Sequence, residues 1–383
     1  MRARRAWGWA LVLVIFATSW SLGDGKATAS DLLERTEFRG DLRLRYEGFR
    51  QDGSFDNDRR DRFRFRLRFG IETRITDRIR VGIQLRSGNP DDPVSDNQSL
   101  DGGFTKKDLA IAQAFADFAL DGGGAIRAGK FDPRKLWHVS DMQWDDDVVV
   151  EGAMERWTAP EHGSLRGVDV RVWQFVLEES GSGDDAYVLG AQVSPAFRLG
   201  ERQELRVGAG YDHYLNPEVL ARRTAGGRLD GNPLTNRTFV DGNGDLQLVS
   251  DFRILSAFAQ WKLGGRGRWP VKVSAFAYRN LGTRGIAENE DSAFFARVQV
   301  GDYKQPGRMA FRLSRYRSEP DALFYAFMQS DTTRASDLDA WRFDWRVGLR
   351  SKGYVNVTWY RVDPESAPGP TLDRWQVDYI LKF

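Results

Sequence analysis

The chain has 383 residues, with 56 Lys+Arg against 54 Asp+Glu for a formal net charge of +2, and no cysteine. The near balance argues against a protein that coats a polyanion, and the absence of thiols excludes disulfides, thiolate metal sites and cysteine nucleophiles. Hydrophobic residues make up 41% and the mean hydropathy is −0.52, values ordinary for a water-soluble chain.

The N-terminus differs in kind. Arg2, Arg4 and Arg5 precede an apolar stretch from Trp7 to Ala17, and Ala27-Thr28-Ala29 follows. A basic start, a short apolar run and an A-x-A pattern describe a secretory signal peptide, and the run falls short of the ~20 residues needed to span a membrane. A cleaved leader over residues 1–29 is expected, with a mature chain, 30–383, that begins near Ser30 outside the cytoplasm.

After the leader, alternation takes over. Residues 62–69 read RFRFRLRF. On a helix, Phe63, Phe65, Leu67 and Phe69 would scatter around the circumference. On a strand they share one face, and Arg62, Arg64, Arg66 and Arg68 share the other. Similar segments are 38–48, 62–73, 79–87, 108–120, 125–131, 152–158, 165–176 and 186–194. They continue at 204–214, 252–263, 271–279, 292–301, 308–317, 339–350, 354–362 and 372–383. That makes about 16 strands, most near the ~9–11 residues of a tilted membrane strand. Short connections (76–77, 121–124, 195–203, 264–270, 302–307, 351–353) take turns with long ones (49–61, 88–107, 132–151, 177–185, 215–251, 280–291, 318–338, 363–371).

This pattern predicts an all-β chain: a transmembrane antiparallel β-barrel of about 16 strands, with short periplasmic turns and long extracellular loops. A β-sandwich has shorter strands, and a propeller has a ~40–50-residue repeat that is not found here. Aromatics near strand ends (Tyr46, Trp261, Trp341, Trp359, Trp375, Tyr379) fit interfacial girdles.

RGDLRLRYEG (39–48), RDRFRFRLRFGIE (60–72), VGIQLRSGNPDDPVSDNQSL (81–100), FTKKD (104–108), AGKF (128–131), WDDD (144–147) and the closing aromatic strand resemble the bacterial putative-porin family of outer-membrane β-barrels. The match is densest in the first 150 residues; alginate-export barrels are more distantly similar. The resemblance implies a porin in the cell outer membrane of a Gram-negative bacterium, a water-filled channel for passive diffusion of small polar or anionic solutes. It also implies that the barrel-assembly machinery reads the terminal Phe383, and that the third loop folds inward and narrows the pore. Outer-membrane lipid and small hydrophilic solutes are then the expected partners. Monomer and homotrimer both stay open.

The pore-lining residues expected from the alternation are Arg43, Arg45, Arg62, Arg64, Arg66, Arg68, Arg80, Gln84 and Arg86. So many like charges must be hydrated or paired. Asp141, Asp145, Asp146 and Asp147 on the third long loop are the candidate partners at a constriction, facing the arginine wall across it. No cofactor, metal or catalytic set is expected. His138, His162 and His213 sit in or beside different connections, and Asp212 and His213 point to opposite faces of a strand. DGNGD (241–245) lacks the glycine and bidentate glutamate of a calcium loop and reads as a solvated turn. Nucleic acid could not meet rings and arginines that face opposite ways. The alternative function is a substrate-specific channel for an acidic oligosaccharide or a similar solute.

Overall fold

The structure, a computed structural model, describes residues 29–181, 184–264, 269–350 and 352–383. The expected leader, 1–29, lies outside the described residues except for Ala29, which opens a short helix, α1, Ala29–Glu34.

Period-two alternation is realised in sixteen barrel strands. They are β1 Thr36–Arg50, β2 Arg59–Arg74, β3 Ile79–Ser87, β4 Leu109–Ala119, β5 Gly124–Phe131, β6 Val150–Ala159, β7 Leu165–Glu178 and β8 Ala186–Gly200. The ring continues with β9 Gln203–Leu215, β10 Arg253–Leu263, β11 Val271–Asn280, β12 Ser292–Gly301, β13 Met309–Ser318, β14 Leu338–Gly348, β15 Tyr354–Pro364 and β16 Leu372–Lys382. Each pairs antiparallel with its sequence neighbour, and β1 pairs with both β2 and β16, so the sheet closes. Closure leaves no unpaired edge, which is what lets a sheet sit in lipid. The two-residue segment Gln98–Ser99 adds a patch of pairing beside upper β2.

Register confirms the faces. Arg43, Arg45 and Glu47 of β1 lie opposite Arg66, Arg64 and Arg62 of β2, all inward, while Leu44 opposes Phe65 and Tyr46 opposes Phe63 on the outside. The outward row is exposed (Phe63 61%, Leu44 49%), whereas the inward charges are buried (Arg45 5%, Glu47 0%). Apolar outside and charged inside inverts a water-soluble core and fits lipid around a wet lumen. Trp341, Trp359 and Trp375 gather outside near the long-loop rim, and Trp261 and Tyr379 lie near the other.

All eight long connections leave one rim, and the short turns share the other rim with both ends of the barrel sequence. One expected connection is wrong. The turn placed at 195–203 shrinks to residues 201–202, because β8 runs on through Pro195. Lacking an N–H, Pro195 leaves a gap in the β8–β9 ladder between Val193↔Ala209 and Ala196↔Arg206. The Arg206 guanidinium donates to the Ser194 carbonyl there, at 3.0 Å. Elsewhere, Gly129 and Gly152 face each other across β5–β6 with φ of 113° and 139°. A side chain on either would strike a neighbouring backbone carbonyl, so the wall bends here only with glycine.

Two long connections fold into the barrel. The third, 132–149, touches β2, β8, β9, β11, β12 and β14 through Asp147, His138, Gln143, Ser140 and Asp141. A segment that meets six strands around the ring must cross the lumen. The seventh, 319–337, joins it: Trp144 stacks on Phe327 with centroids 5.0 Å apart. Asn232 and Asn236 of the fifth connection hold the seventh down by donating to the carbonyls of Tyr325, Met328, Pro320 and Leu323. In the same connection a helix, α2, Glu218–Ala225, buries Leu220 and Ala221.

Candidate functional site

The ladder of inward arginines raises a problem of like-charge repulsion, and much of the answer lies on the same strands. Asp41, Arg43, Arg45 and Glu47 alternate along one face of β1. Glu47, fully buried, accepts from Arg62 (2.6 Å), Arg374 (2.9 Å) and Arg45 (3.2 Å). Asp378 of β16 binds Arg45 at 2.5 Å, and Asp41 binds Arg66 at 2.8 Å and Arg68 at 2.7 Å. Across the lumen, Asp344 holds Arg342 at 2.9 Å and Arg346 at 3.7 Å. Sequence reasoning passed over Asp41, Glu47, Asp344 and Asp378, although their parity with the arginines was legible.

The four loop aspartates do not act together. Asp147 meets Arg66 at 3.1 Å and Arg68 at 3.6 Å, touching the arginine wall instead of facing it across water. Burial would raise its carboxyl, but Arg66, Arg43, Arg68 and Arg86 outweigh burial and hold it below the usual carboxylate range. Asp141 turns to the opposite wall, to Arg297 (2.5 Å) and Arg342 (3.4 Å). Asp145 touches no cation among the described residues. It accepts from the Ser330 backbone N–H (2.8 Å) and hydroxyl (3.1 Å), tying the third connection to the seventh. Burial, then the nearby Asp147 charge, pushes its carboxyl up. Asp146 alone is exposed, 3.9 Å from Arg134. The expected picture of aspartates facing an arginine wall across a gap is therefore corrected: the inward path of the third connection brings three of them into contact with protein.

The seventh connection was not foreseen as a participant. Its Asp331 accepts from Arg374 (2.8 Å), Gln376 (2.9 Å) and Arg45 (3.3 Å). Burial opposes its ionisation, but Arg374 and Arg45 hold the carboxyl well below its ordinary range. No signal in the sequence pointed to this loop, because its partners lie far away along the chain.

Among the cavities that stay open, one of about 220 Å³ lies between the wall and the two inward connections. Eight arginines border it (Arg43, Arg45, Arg66, Arg68, Arg134, Arg312, Arg342, Arg346) against five aspartates (Asp145, Asp146, Asp147, Asp331, Asp378). Arg62, Arg64 and Arg86 lie on the inward face but off this cavity. Arg80, at the turn rim, pairs with Glu72 at 3.8 Å, and Gln84 accepts from Arg86 at 2.6 Å.

The other candidates stand apart. His138, His162 and His213 lie in the third connection, a short turn and β9. Asp212 is buried inward against Gln143 and Trp173. Asp241 closes its turn by accepting from the N–H groups of Asn243 and Asp245.

A profile of the family described as putative porin matches residues 54–238. None of the curated proteins matches the chain. Among solved structures, OprB of Pseudomonas putida superposes with a TM-score of 0.55 at 11% identity, over 92% of this chain and 96% of that one. OmpF of Salmonella typhi, solved in complex with daunomycin, superposes with a TM-score of 0.53 at 13% identity, over 91% of this chain and 97% of that one. At such identities the likeness is one of fold.

Proposed function

We propose that this outer-membrane β-barrel of the putative-porin family conducts small hydrophilic solutes by passive diffusion and favours anions. The observation that carries the reading is the excess of arginine over aspartate around the cavity of about 220 Å³ between the arginine wall and the inward connections. Guanidinium groups stay charged at physiological pH, and within a Debye length of about 10 Å at 0.1 M salt their field reaches a passing ion. Conduction needs binding strong enough to admit a solute and weak enough to release it, which a lumen of mostly paired charges supplies.

Planar-bilayer recording tests it. Open current with a reversal potential on the anion side supports the reading; no current, or cation preference, sinks it. A second reading, a channel dedicated to an acidic solute, is favoured by one observation: two connections, not one, narrow the lumen. Its own solute would block the current, whereas a general porin passes ions in the presence of any such solute.

The reading carries two further proposals. The mature chain begins near Ser30 after removal of residues 1–29, which mass spectrometry of the outer-membrane form checks. The barrel-assembly machinery engages Phe383, whose backbone is fastened to Gly40 by paired hydrogen bonds of 2.9 and 3.1 Å while its ring stays exposed.

A further inference from the structure

Six of the eight arginines bordering the cavity have a carboxylate within 4 Å: Arg45 has Asp378, Arg66 and Arg68 share Asp41, Arg134 has Asp132, and Arg342 and Arg346 share Asp344. Among the described residues, Arg43 and Arg312 have none. Arg43 is 91% buried by its 9% exposure, flanked by Arg66 across the ladder, and its single side-chain hydrogen bond goes to the neutral Asn97 amide. Among the described residues Arg312 makes no side-chain hydrogen bond; Asp344, its cross-strand neighbour, forms its ion pairs with Arg342 and Arg346. The Nε of each is buried without a partner.

A buried guanidinium with no carboxylate in contact is costly, and so are unsatisfied donors. Here the two groups without a contacting carboxylate stand on different walls, β1 and β13, and open onto the same cavity, where Asn97 adds an amide and Ser330 a hydroxyl. We infer that Arg43 and Arg312 form a binding station for a compact polyvalent oxyanion, such as phosphate or a small polycarboxylate. The guanidinium fork suits planar or tetrahedral oxyanions, and one ligand with two or more charges answers both arginines, as a halide cannot. The paired arginines around them shape the cavity without competing for the ligand. The inference deepens the diffusion-channel reading and rests on solutes reaching this cavity.

Isothermal titration of the detergent-solubilised full barrel with inorganic phosphate, citrate and acetate reads binding; bilayer current reads transport separately. Phosphate and citrate should bind and acetate should not. Arg43→Gln and Arg312→Gln should each weaken citrate binding by about tenfold, as expected for loss of a charge-assisted contact. Arg43→Lys with Arg312→Lys keeps the charges but loses the forks, and should bind with intermediate affinity if the site is built as inferred. Arg78→Gln, on an exposed turn, should bind as the parent does. Heat modifiability confirms that each variant is folded. Equal citrate affinity in the parent and both glutamine variants, or acetate binding as tightly as citrate, overturns the inference. If citrate binds as inferred but the barrel passes no current, the station stands and the diffusion reading fails.

Discussion

Along β7–β11 the inward side chains include Trp173, Phe175, Phe258, Phe276 and Tyr278. Trp173 and Phe175 pack against Trp137 and Trp144 of the third connection, with Trp137–Trp173 centroids 4.9 Å apart, and Phe258 packs on His138 and, with centroids 5.3 Å apart, on Phe276. Along β14–β16 and β1–β3 the inward side chains include Arg342, Asp378, Arg43, Arg45 and Arg66, which line the open cavity. Both halves obey the same alternation and present the same apolar surface to lipid. The period of a strand therefore decides which face meets the membrane and leaves the other face free to be either a dry packing surface or a wet one. The aromatic half seats the inward loop; in the proposed reading the charged half sets what passes.

The comparison breaks most visibly if the aromatic half is not the anchor. Trp173→Ala removes a ring packed on Trp137 and Phe175 and a donor to Asp212, at 3.0 Å. It should cost about 3–5 kcal/mol, measured by denaturant unfolding in lipid vesicles, with little change in ion preference. A cost under about 1 kcal/mol would mean that the loop is held by its charges.

The outside should not distinguish the halves. Leu67→Arg on the charged side and Val193→Arg on the aromatic side both place a guanidinium in lipid, and each should destabilise by about 2–4 kcal/mol in the same assay. A large difference between them would place one of the two faces elsewhere than in lipid.

Asp331→Asn releases Arg374 and Arg45 from their shared loop carboxylate. The reversal potential in a salt gradient should move towards anions, and the shift should shrink in molar salt as screening tightens. An unchanged potential would show that the seventh connection lies off the conducting path.

The smallest effect is expected from pH. Burial, then the Asp147 charge, pushes the Asp96 carboxyl up to about 6, against the pull of Arg86 and Arg68. As pH falls through that value the group takes up a proton, and Arg86 (3.2 Å) and Arg68 (3.8 Å) lose its compensation. Net positive charge at the charged half rises, so anion preference should strengthen between roughly pH 7.5 and roughly pH 5. Asp96→Asn should show the strengthened preference at both pH values and flatten the profile.

The sixteen strands and their antiparallel order were legible in the chain, because a strand's two faces follow from a backbone period that each segment carries alone. The Arg62–Phe69 stretch declares its lipid face without reference to any partner. The connection expected at 195–203 was too long because the strand runs on through Pro195, which it can do only where the neighbouring ladder spares one hydrogen bond, and that depends on β9. The partners of the arginines divide along the same line. Asp41 and Glu47 share a strand and a parity with Arg43 and Arg45, so local spacing could have revealed them. Asp331, the turning of Asp145 towards Ser330, and the isolation of Arg43 and Arg312 depend on how two loops cross a closed ring. Residues hundreds of positions apart meet there at 3 Å, and charge compensation at that range is a property of the closed barrel, which no local period encodes.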